Sequence, residues 1–265
     1  MPGTTLVTGA SSGIGRELAR LAAGDRRDVV LVARRREPLE ALANELTKRY
    51  GVVAEIVVAD LSLPDSPGRV FEEAQARRGP IEVLVNDAGL GVHGFFRETS
   101  LEKELETIRV NVLALTHLTK LVVPGMIERR RGILLNVAST AAFQPGPLMA
   151  VYYASKAYVL SFTEALAEEL DGTGATATAL CPGPTRTEFQ EKTGMGDVPM
   201  FRGPLVLDAA TVARAGWEGA KRGKRVVVPG VANRILALGA RFSPRKLATK
   251  IARRIQENRT RGETR

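Results

Sequence analysis

The stretch that most constrains this chain is Leu6-Val7-Thr8-Gly9-Ala10-Ser11-Ser12-Gly13-Ile14-Gly15. An apolar run enters it. A run with Ile14, Leu18, Leu21 and Ala22 at helical spacing leaves it. Glycines at 9, 13 and 15 permit positive φ, close approach of backbone to a phosphate, and tight helix–strand packing. The free N–H groups opening the helix, with its dipole, make an anion site, and Ser11 and Ser12 add hydroxyls. By itself such a turn also fits a Gly/Ser loop capping a helix, and three residues separate Gly9 from Gly13 rather than one. The rest of the chain has to decide.

Apolar runs recur along it at 28–33, 54–59, 81–85, 132–137, 175–180 and 225–228. Helical periodicity fills the gaps. A helix follows Pro38, carries Leu39, Leu42, Ala43 and Leu46, and ends at Gly51; another spans 70–78 and stops at Gly79. Longer ones run from Leu101, with Pro124 near the end as kink or stop, and over 150–170; 211–222 is also helical. Strands without polar alternation are buried on both faces, so this order predicts an α/β fold. It is a doubly wound, Rossmann-like parallel sheet of about seven strands, with helices on both faces. At 265 residues, without linker or repeat, the chain reads as one domain. Ligands of such sheets bind beyond the carboxyl ends of the strands, where Ser11, Arg34, Asp60, Asn86, Ser139 and Thr185 fall.

Composition excludes several classes. One cysteine, Cys181, in an apolar run, makes no internal disulfide and reads as a buried, inert thiol. Two histidines, His93 and His117, are too few for a typical zinc site, so no metal is expected; His117 reads as packed or surface and His93 as an ordinary loop residue near the cleft. The N-terminus enters a strand at once, without a signal-like run, and no apolar run is long enough to span a membrane; a cytoplasmic protein is expected. Much of the net charge of +9 lies in 241–265. Without an aromatic-rich basic motif, a solvated surface is favoured over nucleic acid or peripheral membrane contact through the tail.

Tyr152 and Lys156 are four apart at the start of the 150–170 helix and share a face. A free phenol has a pKa of about 10, and a nearby ammonium lowers it. The pair is therefore a proton donor or acceptor tuned toward neutrality, or an incidental pair on a helix surface. Tyr153 faces a quarter turn away and reads as wall or core.

Thr8 to Gly15, Asn86 to Gly89, Asn111, Ser139, Tyr152-x-x-x-Lys156 and Pro182-Gly183, in this order, resemble the motifs of the short-chain dehydrogenase/reductase family. The likeness covers roughly 6–187 and implies an oxidoreductase moving a hydride between a nicotinamide and a carbonyl or secondary alcohol. It implies Tyr152 as acid/base and Lys156 as the group that lowers its pKa and binds the nicotinamide ribose. Ser139 would hold the substrate oxygen, and Asn111 would anchor a water for proton relay. For the cofactor it implies the turn (Gly9, Ser11, Ser12, Gly13, Ile14, Gly15), an adenine contact at Asp60 and Leu61, and an adenosine-ribose wall at Asn86, Ala88 and Gly89. Pro182, Gly183, Thr185 and Thr187 resemble the nicotinamide-side loop. One departure is Asp87, where the family usually has asparagine; altered local bonding is expected there.

NAD enzymes place an acid after the second strand. Here Arg34 and Arg35 stand there, Glu37 is the first acid, and Arg16 is available to assist. A guanidinium suits a 2′-phosphate, so NADP(H) is the expected cofactor. The second functional reading is a catalytically silent cofactor-binding regulatory protein. A homodimer or homotetramer through the two long helices is expected, with Leu113, Leu118, Val159 and Phe162 as interface candidates. Residues 188–205 read as a lid over an apolar small-molecule cleft, with Phe189, Met195, Met200, Phe201 and Leu205 as its surface. Residues 231–265 read as a basic helical extension that turns Ile235, Leu236, Leu238, Leu247 and Ile251 inward, with a disordered end.

Overall fold

Strand β2 (Val29–Ala33) shows why continuous apolar runs were needed. Val29 and Leu31 point into one core and Val30 and Val32 into another. The same alternation splits Leu134 from Leu135 in β5 (Gly132–Val137). The remaining parallel strands are β1 (Thr4–Thr8), β3 (Ala54–Val58), β4 (Ile81–Asn86) and β6 (Ala175–Leu180). A later pair, β7 (Thr185–Arg186) and β8 (Leu207–Asp208), forms a separate two-stranded ribbon. Strand β9 (Val226–Val227) closes the main sheet in the order β3-β2-β1-β4-β5-β6-β9. Every pairing in it is parallel. The chain is a seven-stranded, doubly wound Rossmann-like fold, as its apolar runs predict. These features come from a computed structural model, which describes residues 3–195 and 205–256.

One face is covered by α1 (Gly13–Gly24), α2 (Arg36–Tyr50) and, later in the chain, Ala209–Lys221. Leu18, Leu39, Leu42, Leu46 and Trp217 fill this core. The other face is covered by α3 (Ser66–Arg78), by the long helical stretch α4 (Leu101–Ile108) to α5 (Leu115–Glu128), and by α6 (Ala150–Glu169). Numbering continues with α7 (Phe189–Lys192) and α8 (Ala209–Lys221), then α9 (Val231–Phe242) and α10 (Arg245–Gln256).

Several local expectations change. Helix α3 starts four residues early, at Ser66, with Pro67 in its first turn. Ile14 and Leu21 are only half-buried, and Gly15, Leu18, Ala19, Ala22 and Ala23 make the contact face of α1. Pro124 neither stops nor ends its helix. It is exposed, so the lost backbone bond falls on the solvent side and α5 continues to Glu128. Residues 109–114 form a π-helical turn that periodicity did not reveal. The 101–128 stretch is apolar and long enough to cross a membrane by composition alone. Here its inner face, including Val110, Leu118, Val122 and Met126, is buried in the fold.

Candidate active site

The carboxyl ends of the strands open onto a cavity of about 740 Å³. At its floor the first turn runs Gly9 to Gly15. Gly9 sits at φ +73°, and a Cβ there would come 2.8 Å from Ala88 N. A Cβ on Gly15 would meet the Asp87 carboxylate at 2.5 Å and the Gly9 carbonyl at 2.7 Å. The turn is thus tight because the loop after β4 lies against it. Thr8 fixes that loop: its hydroxyl accepts from the N–H groups of Asp87 and Ala88, both at 3.1 Å. The Ser12 side chain makes no cap bond to α1, so its hydroxyl faces the cleft without a helix partner.

On the opposite wall α6 presents Tyr152 and Lys156. Ser139 begins the short 3₁₀ turn after β5, where its Oγ accepts from Ala141 N at 3.1 Å and donates to Pro182 O at 3.4 Å. Lys156 is nearly buried and donates through Nζ to Val137 O at 2.7 Å; the same Nζ lies 5.8 Å from the centre of the Tyr152 ring. Burial pulls the ammonium pKa down to about 8, against the attraction of Asp87. Burial pushes Asp87 up to about 7, against Lys156 and the Gly15 N–H. Burial also raises the Tyr152 phenol, opposed by its hydrogen bond with Ser139. Burial and Ser139, rather than Lys156, set the balance on the phenol here. Loss of hydration dominates, and Asp87 and Tyr153 add to it.

Of the sequence candidates, Gly9, Ser11, Ser12, Gly13, Ile14, Arg34, Arg35, Asp60, Leu61, Ala88, Gly89, Ser139, Tyr152, Lys156, Pro182, Gly183, Thr185 and Thr187 line this cavity. Gly15, Asn86 and Asn111 do not. Gly15 is a packing position. Asn86 is a correction to the ribose wall: its Nδ2 donates to Thr119 Oγ1 at 3.1 Å and to Asn136 Oδ1 at 2.9 Å, inside the fold. Asn136 passes the chain on to Thr163. Asn111 sits in the π turn, 1% exposed, behind the wall. It ties Leu90 at both main-chain groups, 2.8 and 2.9 Å, and donates to Ser155 Oγ at 2.9 Å. The π turn re-aims one residue toward the loop after β4, a common use of such turns near functional sites.

Arg34 and Arg35 are both engaged, Arg34 with Glu106 at 2.9 Å and Arg35 with Glu188 at 2.7 Å. Asp60 accepts from Ser62 N at 2.9 Å. Burial raises its pKa, but the Ser62 bonds and the Arg34 charge outweigh this and hold it low. Cys181 is buried, and loss of hydration pushes its thiol up to about 12, an inert state. His117 is exposed. Tyr153 is wall: nearly buried, edge-on to Tyr152 at 6.0 Å, and hydrogen-bonded by the Gln256 amide. Phe189 tilts against Tyr152 at 5.3 Å, and Met195 and Leu205 also line the cavity. Met200 and Phe201 lie outside the described residues.

The tail is the largest correction. Helix α9 packs through Asn233 and Ala237, and α10 through Ala248, Ala252 and Gln256. Asn233 fills the space a Cβ on Gly183 would need, and the Gln256 carbonyl meets His93 Nε2 at 3.1 Å. Ile235, Leu236, Leu238, Leu247 and Ile251, expected inside, are 48–64% exposed. Small and amide side chains let the helices approach closely, which leaves the large aliphatics no room inward. Sequence reasoning passed over Asn233, Gln256 and Asn136, and gave Thr8 no role beyond its motif, because such residues signal nothing until their partners are known. The end of the expected extension, 257–265, lies outside the described residues.

With this geometry in view, comparison with known proteins is specific. A family model described as short chain dehydrogenase matches residues 3–197. A short chain dehydrogenase of Pseudocercospora fijiensis is 36% identical over 188 residues, 70% of this chain and 60% of that protein. Ketoacyl reductase HetN of Nostoc is 36% identical over 192 residues, 72% of this chain and 65% of its own. The matched regions thus span less than two thirds of either relative. Among solved structures, a short-chain dehydrogenase from Sphingobium yanoikuyae in complex with NADPH superposes with a TM-score of 0.81 at 35% identity, covering 91% of this chain and 94% of that one.

Proposed function

This chain belongs to the short chain dehydrogenase family, and from that premise we propose that it is an NADP(H)-dependent oxidoreductase acting on a carbonyl or secondary-alcohol carbon. The observation that carries the reading is convergence. Ser139, Tyr152 and Lys156 line the same cavity as the Gly9–Gly15 turn. Two features of the cavity fit a dinucleotide: glycine positions that admit no Cβ, and the open N-terminus of α1 with an unspent Ser12 hydroxyl. The turn and Ser11 and Ser12 would hold the pyrophosphate. Asp60, Leu61, Ala88 and Gly89 would hold the adenosine end, and Lys156, Pro182, Gly183, Thr185 and Thr187 the nicotinamide end. When bound, the nicotinamide supplies or accepts the hydride.

In reduction, Tyr152 donates its proton to the carbonyl oxygen as that oxygen gains charge. A phenol that burial keeps protonated suits this role. Ser139 holds the same oxygen, and the Lys156 ammonium stabilises the phenolate left behind. Asn111 acts through position: it fixes the Leu90 loop beside the wall. Tyr152, Phe189, Met149 and Met195 make an apolar substrate side, so a mostly apolar ketone or alcohol is the favoured substrate class.

The preference for the phosphorylated cofactor rests on Arg34 and Arg35. A 2′-phosphate would displace Glu106 and Glu188, which now occupy them. The test is cofactor consumption over a panel of apolar ketones with NADPH and with NADH. Turnover with NADPH is expected, with the NADPH/NADH ratio of kcat/KM falling about tenfold or more in Arg34→Ala. No turnover of any carbonyl, with NADPH bound, would leave the silent regulatory reading instead.

A further inference from the structure

Between Glu218 and Glu257 the sequence has no acidic residue, and within α9 and α10 it has seven basic ones. Arg234, Arg245, Lys246, Lys250 and Arg254 are exposed. Between these cations the two helices show water six aliphatic side chains: Val231, Ile235, Leu236, Leu238, Leu247 and Ile251, at 48–75% exposure. Their spacing makes stripes rather than scatter. Val231, Ile235 and Leu238 follow i, i+4, i+7, and Leu247 and Ile251 follow i, i+4. The stripes are distinct from the face that holds the helices to the body, which is Asn233, Ala237, Ala248 and Ala252. Exposed aliphatic stripes on two successive helices are unusual on a chain in contact with water alone.

The charges choose the occupant. A second copy related by a two-fold axis would bring the exposed Arg234, Arg245, Lys246, Lys250 and Arg254 against the same cations of its partner. Nucleic acid would use the cations but leave the aliphatics without a role. An anionic bilayer uses both: aliphatic side chains enter the acyl boundary while lysine and arginine reach the headgroups. Position adds a consequence. Ile235, Leu236 and Ile251 line the large cavity and are also about half exposed, so a surface seated on these helices lies against the edge of that cavity.

We propose that α9 and α10 form an interfacial anchor that seats this chain on an anionic bilayer, with that edge of the cavity against the lipid. Resting on the function proposed above, the substrate is then an apolar carbonyl compound that partitions into the bilayer and enters from it.

The test uses the full chain and vesicles of phosphatidylcholine with about 30% phosphatidylserine, against phosphatidylcholine alone, in low and high salt. Co-sedimentation with the anionic vesicles is expected, weakened by salt and by removal of phosphatidylserine. The triple variant V231S/L238S/L247S should lose at least about fivefold in vesicle affinity. None of these three residues lines the cavity, so its turnover of a water-soluble ketone should stay near that of the unmodified chain. In Leu238→Trp, brominated lipid should quench the new indole, while the single native tryptophan, Trp217, is 2% exposed and reports little. Absence of vesicle binding at low salt overturns the anchor. So does binding that the triple variant leaves unchanged, or tighter binding to duplex DNA than to vesicles. Loss of self-association in the triple variant, without vesicle binding by the parent, assigns the face to a second copy. Sedimentation is read without turnover, so failure here is separable from failure of the oxidoreductase reading.

Discussion

At the scale of single residues, two tyrosines side by side set the first test. Tyr152 shares a helix face with Lys156 and meets Ser139, whereas Tyr153 is bonded by Gln256 from the tail. Tyr152→Phe should lower turnover by ~10²–10⁴-fold while NADPH affinity, measured by fluorescence titration, stays close to that of the parent. Tyr153→Phe should lose less than about tenfold. The reverse ranking would move the acid to position 153. This assignment was legible in sequence because a four-residue spacing already implies a shared face. Asp87 was not: its departure from asparagine was visible, but not the ammonium and N–H group that face it. Its carboxyl is raised to about 7 by burial, against Lys156 and the Gly15 N–H. A carboxyl raised in the folded state keeps its proton where the unfolded chain has already lost it. Its contribution to stability therefore falls as pH rises from about 4 toward 7, and the deficit stays above that. Asp87→Asn removes the effect. The melting temperature of the variant minus that of the parent should be near zero around pH 4 and grow more positive to pH 8, as differential scanning fluorimetry can follow. A difference that stays flat across this range would show that Asp87 ionises in the fold as it does in water.

At the scale of elements, the glycine turn pits two known magnitudes against each other. Alanine is favoured over glycine in a helix by about 1 kcal/mol. At position 15 the added Cβ would lie 2.5 Å from a carboxylate oxygen and 2.7 Å from a backbone carbonyl, neither on a long flexible side chain. Forced overpacking of this kind costs typically ~1–3 kcal/mol, so the clash wins. Gly15→Ala should melt at a lower temperature than the parent and bind NADPH more weakly, since relief requires the first turn of α1 to move. An unchanged melting temperature would mean that the turn is looser than its contacts. The turn, the strands and the paired Tyr152 and Lys156 were readable because each depends on residues near in sequence. The π turn was not readable, because one extra residue in a helical turn leaves the apolar pattern nearly intact while re-aiming Asn111. Nor was the orientation of α9 and α10. An amphipathic helix seeks an apolar environment, but the sequence does not say whether protein or another phase provides it. Alanine and asparagine, small enough for close approach, took the inward face.

At the scale of the whole molecule, the sheet was legible because both its faces are covered and its central strands had to be mostly apolar, with threonine and asparagine as the main exceptions. Assembly was harder to read, since apolar residues on a long helix serve either the chain's own core or a partner. Leu118 and Val159, expected at an interface, are fully buried within the chain and unavailable to a partner. Leu113 is 59% exposed, and Phe162 stacks on Tyr158 at 5.6 Å. Leu101, Leu105 and Ile108 continue an exposed stripe along α4. This face differs from the tail in its charges. Glu102 pairs with Arg109 at 2.8 Å, and Lys103 and Glu106 stand nearby, so both signs are present. A two-fold copy can match a mixed-sign face to itself, whereas an all-basic face repels its own copy. We therefore place self-association on α4 to α6 and keep it off α9 and α10. Light scattering at micromolar concentration should give two or four times the chain mass. Leu105→Glu with Leu113→Glu, which would bury four carboxylates across a two-fold interface, should shift that mass toward one chain; V231S/L238S/L247S should leave it unchanged. A single-chain mass for the parent would refute assembly. A mass that survives the double glutamate variant would place the contact elsewhere on the surface.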